Sequence, residues 1–267
     1  MTNLPPVFAT APRRIVTHDG ASLGVRKVPE ETPIAFTYGR TTYAVMMATP
    51  ADIEDFAAGF SLTERIIEDI AEIAELEVVA VPQGIEARMT LSSDRDEQLL
   101  SRRRRITGPG GCGLCGIESL EAAVAPLPPI ASSAHISADE IFCALESLRG
   151  LQTLNAKTRA VHAAGFWSDN RFVAVREDVG RHNAFDKLAG ALARAAIPAA
   201  SGILVMSSRL SIELVQKAAS IACPIIVAVS APTALALRAA EECGMTVVAI
   251  ARDDSLEVFT HAQRIAG

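Results

Sequence analysis

Short apolar runs alternate with amphipathic stretches through the second half of this 267-residue chain. The runs 172–176, 202–206, 225–229 and 246–250 are rich in β-branched residues, as in strands buried on both faces. Between them, 183–195, 212–222 and 233–243 show helical spacing, and Gly244 closes the last of these. This alternation predicts a mostly parallel sheet covered by helices on both faces, an α/β fold. The first half gives shorter signals. A leader without clear pattern precedes strands at 34–38 and 43–47. A helix then opens with Thr49 as N-cap and Pro50 in its first turn, and Ile53, Phe56, Ala57 and Phe60 face a core. Further strands are expected at 77–81 and 85–91. The Pro- and Ser-rich stretch 126–133 reads as a linker between an α+β region (1–125) and an α/β domain (134–267).

A 49% hydrophobic and 4% aromatic composition fits such packed layers. The net charge of −6 argues against general nucleic-acid binding, with Arg102, Arg103, Arg104 and Arg105 forming one basic island. No apolar run reaches the roughly 18 residues of a membrane span, since 189–200 is broken by Arg194 and Pro198. The first 14 residues hold three prolines and no apolar core, so no secretory leader is expected. Five cysteines do not suggest a disulfide framework; Cys143 and Cys223 read as small buried hydrophobes, and the expected compartment is the cytoplasm.

In open α/β sheets, ligands gather beyond the carboxyl ends of the strands, where helix N-termini present free N–H groups. Those ends here carry Asp178, Gly180, Arg181 and His182; Ser207, Ser208 and Arg209; Ser230 and Thr233; and Arg252, Asp253 and Asp254. Ser207, Ser211, Ser230 and Asp178 could simply cap helices. With Arg181, Arg209 and Arg252 at three of the ends, an anionic, nucleotide-like ligand explains the set better. His182 could bond a phosphate or hold Asp178, while Asp186 and Lys187 read equally well as a surface pair.

Cys112 and Cys115 stand in a loop with Gly108, Gly110, Gly111, Gly113 and Gly116. Glycine lets another group approach both thiols, and a Cys-x-x-Cys spacing favours a reactive thiolate. Three chemistries compete. A structural zinc site needs four ligands; a second such pair is absent, and His135 and His162 lack motif spacing. A redox pair usually opens a helix after a strand. A persulfide carrier, whose sulfur must visit donor and acceptor, suits a glycine-rich loop best.

Five segments are more specific: 46–50 running to 59–64; the Cys-Gly-Leu-Cys-Gly string at 112–116; 161–164; Glu-Asp-Val-Gly-Arg-His-Asn-Ala-Phe-Asp-Lys at 177–187; and 208–217 continuing to 230–233. On these the chain resembles the FdhD family of formate dehydrogenase accessory sulfurtransferases. The resemblance implies a sulfur carrier. A cysteine desulfurase would load a persulfide on Cys112, with Cys115 as its partner thiol. The sulfur would pass to the molybdenum of a bis-molybdopterin guanine dinucleotide cofactor used by the formate dehydrogenase catalytic subunit. It also implies a homodimer, a three-layer α/β/α cytidine-deaminase-like second half and cofactor contacts at Ile250, Ala251, Arg252, Asp253, Asp254 and Ser255. GDP would share that site. The zinc deaminase signature is missing, so no metal is expected. A chaperone that binds the cofactor without sulfur chemistry is the alternative. Two positions depart from the family: Arg65 replaces a usual glycine, and Ile250-Ala251 stands where Gly-Phe commonly precedes a basic residue.

Overall fold

The computed structural model describes residues 4–92, 126–252 and 255–266. The leader is not patternless: β1 (Phe8–Thr17) and β2 (Gly20–Pro29) form an antiparallel hairpin around His18 and Asp19. Three arginines and one lysine interrupt its apolar alternation, which hid the strands from the sequence. The hairpin is tied back by Arg26, which donates to the Thr158 carbonyl at 3.1 Å.

β3 (Thr32–Tyr38) and β4 (Thr41–Ala48) combine with β5 (Ile73–Val81) and β6 (Gly84–Leu91) in the order β4-β3-β6-β5. Helix α1 (Ile53–Thr63) covers one face. The Phe36 ring stacks on Phe60 at 4.4 Å and meets Phe56 edge-on at 4.9 Å. Burying each such ring stabilises the fold by about 1.5–3 kcal/mol. The helix starts at Ile53, not at Thr49. Thr49 is engaged elsewhere: its N–H donates to Asp178 Oδ2 (2.9 Å), its carbonyl accepts from Lys187 Nζ (2.8 Å), and its hydroxyl accepts from the Val179 N–H (3.2 Å).

The second half contains β7 (Ile136–Ser137), α2 (Ala138–Leu151), α3 (Thr153–Thr158), β8 (His162–Ser168), β9 (Arg171–Asp178), α4 (Arg181–Arg194) and β10 (Ile203–Met206). It continues with α5 (Ile212–Ser220), β11 (Ile225–Ala228), α6 (Ala234–Cys243), β12 (Thr246–Ala249), β13 (Glu257–Val258) and β14 (Ile265–Ala266). The main sheet has the order β13-β12-β11-β10-β8-β9. It is mixed rather than mostly parallel: β10, β11 and β12 are parallel, but β8 runs against both its neighbours and β13 against β12. The cause is local. Asp169 (φ 51°) and Asn170 (φ 59°) form a tight turn of the kind that favours a hairpin, joining β8 to β9. Because β8 is reversed, β9 again runs with β10, β11 and β12.

Alternate strand residues feed two cores. Leu204, Met206, Ile226, Ala228, Val247 and Ala249 pack with Phe185, Leu188 and Leu214 of the helices α4 and α5. Ile203, Val205, Ile225, Val227 and Val248 pack with Ile141, Ala144, Leu145 and Leu148 of α2. Helices thus cover both faces. The inward turn of those α2 residues leaves Cys143 exposed, against expectation, whereas Cys223 is buried and its thiol is pushed up to about 12 by burial. Ile130, in the candidate linker, is buried and donates its N–H to the Cys243 carbonyl at 2.7 Å.

Candidate functional site

The carboxyl ends of β9, β10, β11 and β12 share one edge of the sheet, with the first residue of β8 among them. Helices α4, α5 and α6 begin there, so their N–H groups and positive dipole ends are gathered at the edge. Sequence pattern alone grouped these ends; the reversed β8 leaves the grouping intact.

The side chains divide into scaffold and surface. Asp178 is fully buried and saturated. Its Oδ1 accepts from the Gly180 N–H (2.8 Å) and Asn183 Nδ2 (2.9 Å), and its Oδ2 lies 2.6 Å from Lys187 Nζ. His182 therefore does not hold Asp178, and Asp186 and Lys187 are not a surface pair. Asp186 is buried with its Oδ1 2.9 Å from Lys217 Nζ. This network fixes the Gly180–Arg181–His182 turn from beneath.

Ser207 caps no helix; its hydroxyl accepts from the Ala163 N–H (2.8 Å) and pins β8 to β10. Ser208 is buried and donates to the Arg209 carbonyl (3.1 Å), while Arg209 itself is exposed. Thr233 caps α6 through the Ala236 N–H (3.3 Å), and Ser230 is exposed. Ser211 occupies the N-cap position of α5 but makes no capping bond. Arg252 and Ser255 are exposed and joined by an Arg252 N–H to Ser255 carbonyl bond of 2.8 Å. Ala251 packs into the core on the α2 side of the sheet. Cys112, Cys115, Asp253 and Asp254 lie outside the described residues. Ile250 sits at φ 51° and Arg65 at φ 54°, a region that favours glycine. Both departures from the family pattern thus fall where glycine costs least, and a β-branched residue is strained there.

Arg181 Nε, His182 Nε2, Ser211 Oγ and Glu213 Oε2 are buried atoms with no hydrogen-bond partner among the described residues. His182 Nε2 and Glu213 Oε2 stand 3.9 Å apart, too far for a hydrogen bond. Burial pushes the His182 pKa down to about 4, with Arg181 and Lys217 adding to the effect over the opposing Glu213 and Glu64. Burial, then Arg181, also lowers that of His162. Burial would raise the Glu213 pKa, but the nearby Ser211 hydroxyl, its own backbone N–H and the His182 and Arg181 side chains outweigh it and lower the value. Near neutral pH the edge therefore holds an anionic Glu213 and a neutral His182 beside the Arg181 guanidinium.

Glu213 and His162 also stand at this edge, and neither is singled out by the sequence pattern as part of it. An acid in a first helical turn reads as a dipole partner, and a lone histidine at the start of a strand carries no motif. His162 opens β8, whereas His135 lines a cavity of about 300 Å³ with Trp167 and Ser168 at the strand's other end. The two imidazoles cannot meet on one ion.

The FdhD/NarQ family model matches residues 29–266. The sulfur carrier protein FdhD of Agrobacterium fabrum is 52% identical over 244 residues, covering 91% of this chain and 90% of its own. That of Brucella abortus is 51% identical over 242 residues, covering 90% of each. The crystal structure of a formate dehydrogenase accessory protein from Desulfotalea psychrophila matches with a TM-score of 0.77 at 26% identity, over 98% of this chain and 100% of that one.

Proposed function

This chain belongs to the FdhD/NarQ family, and on that premise we propose that it carries sulfur for the maturation of formate dehydrogenase. The Cys112 thiolate attacks the terminal sulfur of a persulfide on a cysteine desulfurase. The donor's S–S bond breaks, its cysteine leaves as a thiolate, and Cys112 becomes the persulfide. Cys115, three residues on, assists the onward transfer. The acceptor substrate is bis-molybdopterin guanine dinucleotide bearing molybdenum, destined for the formate dehydrogenase catalytic subunit. The protein works as a homodimer in the cytoplasm.

The strand-end edge suits such a substrate. Exposed Arg209 and Arg252 offer cations to phosphates, and the α4 and α5 N-termini offer backbone N–H groups. The observation that carries the reading is the set of buried, unpartnered polar atoms at Arg181 and His182. Leaving such atoms unpaired costs about 1–3 kcal/mol each, a cost that a bound ligand removes. GDP, which shares the nucleotide portion, should bind the same edge.

Intact-mass spectrometry after incubation with a cysteine desulfurase and cysteine tests the proposal. The expected result is a reductant-labile gain of one sulfur that Cys112→Ala abolishes. A protein that binds the cofactor but never gains sulfur would instead be a chaperone for it.

A further inference from the structure

The strand-end edge contains a feature that phosphate binding does not explain. Glu213 presents a buried, unpartnered carboxylate oxygen beside Arg181 and His182. A carboxylate there repels phosphate, so whatever lies against it must bring N–H donors. Arg181, close enough for its charge to act on Glu213, has a buried Nε that also lacks an acceptor. Ser211, only 9% exposed, stands next to them at the head of α5 without capping it. The ligand group required is compact and bears donors and an acceptor side by side.

We infer that Glu213 and Arg181 together read the 2-amino-4-oxo edge shared by guanine and pterin rings, and that Glu213 is the specificity-determining residue. Two vicinal donors, the ring N–H and the exocyclic amine, face the Glu213 carboxylate, and the ring carbonyl accepts from Arg181. Adenine fails this test because it sets a ring-nitrogen lone pair where the edge needs a donor. The inference rests on the proposed cofactor reading, since that substrate carries both ring types. Asp178 and Lys187 play no part in the recognition, being saturated within the fold.

Titration calorimetry on the full chain separates the possibilities, using GDP, IDP (which lacks the 2-amino group), ADP, a simple pterin and its 2-desamino analogue. The wild type should bind GDP about tenfold more tightly than IDP and 10–100-fold more tightly than ADP, as charge-assisted bonds to a buried site allow. Glu213→Gln should erase the GDP-over-IDP preference and leave ADP binding unchanged. Should that variant not fold, Arg181→Met gives a second reading: it should weaken GDP and IDP alike and preserve their ratio. A preference erased for the pterin pair alone would place the pterin rather than the guanine against Glu213. Unaltered ratios for both pairs in Glu213→Gln would overturn the inference while leaving the cofactor reading standing. Absence of binding by every ring in the wild type would sink both.

Discussion

Gly59 and Gly190 meet backbone to backbone where α1 crosses α4. A β-carbon on Gly59 would stand 1.7 Å from the Asp186 carbonyl oxygen, and one on Gly190 would stand 1.8 Å from that of Asp55. The obstructing atoms are backbone, so neither helix can yield without moving as a whole. Gly59→Ala should therefore destabilise the protein by at least about 2 kcal/mol in urea unfolding. Gly150→Ala is the control: nothing lies within 4 Å of its added β-carbon, and it should raise stability by about 0.5–1 kcal/mol.

The Asp178–Lys187 pair, 2.6 Å apart with both side chains fully buried, should behave as a unit. Removing one partner leaves a buried uncompensated charge, so Lys187→Met should cost about 3–5 kcal/mol. Combining it with Asp178→Asn should cost clearly less than the two single losses added together. A double-mutant cycle in denaturant reads that coupling. Additive losses would show that the pair is not coupled.

His182 should shape the acid limb of stability. Its folded pKa of about 4 lies below the 6.5 of an unfolded histidine, so the unfolded state binds more protons between those values. Stability from this group is complete above about pH 6.5 and is lost as the pH falls towards 4. The loss is on the order of 2 kcal/mol. In His182→Gln the thermal midpoint should fall less over that interval than in the wild type.

Ala196 and Ala222 end helices α4 and α5 at φ 54° and 55°. Each sits in a closing turn: Ile197 N–H donates to the Leu192 carbonyl (2.9 Å), and Cys223 N–H to that of Ala218 (3.0 Å). Glycine adopts this conformation without strain, and both alanines are exposed. Ala196→Gly and Ala222→Gly should each raise the unfolding free energy by about 0.5–1 kcal/mol, measured by chemical denaturation.

Much of the second half was legible because β10, β11 and β12 are continuous apolar runs and α4, α5 and α6 keep helical spacing. Gly244 at φ 81° closes α6 as its position suggested. The ends of these strands, and hence the residues at the candidate edge, follow from that local pattern. The β1–β2 hairpin was hidden because its cations interrupt the alternation that announces strands. β8 was hidden because the turn at Asp169 and Asn170 that reverses the chain is a two-residue signal beside a long apolar run.

By itself, then, the sequence determined where β9 to β12 and α4 to α6 lie and which family strings the chain carries, since both are properties of neighbouring residues. Only the tertiary structure decided what Asp178, Asp186, Lys187 and Thr49 do. Several of their partners lie 31 to 138 residues away, and Asp178 binds Gly180, Asn183 and Lys187 within its own segment as well. Burial then converts these charges, which read as ligand-facing or solvent-exposed, into scaffold. The same step singled out Glu213. An acid in a first helical turn is ordinary in sequence, and it acquires meaning only when folding brings it beside Arg181 and His182 with one carboxylate oxygen buried and unmatched.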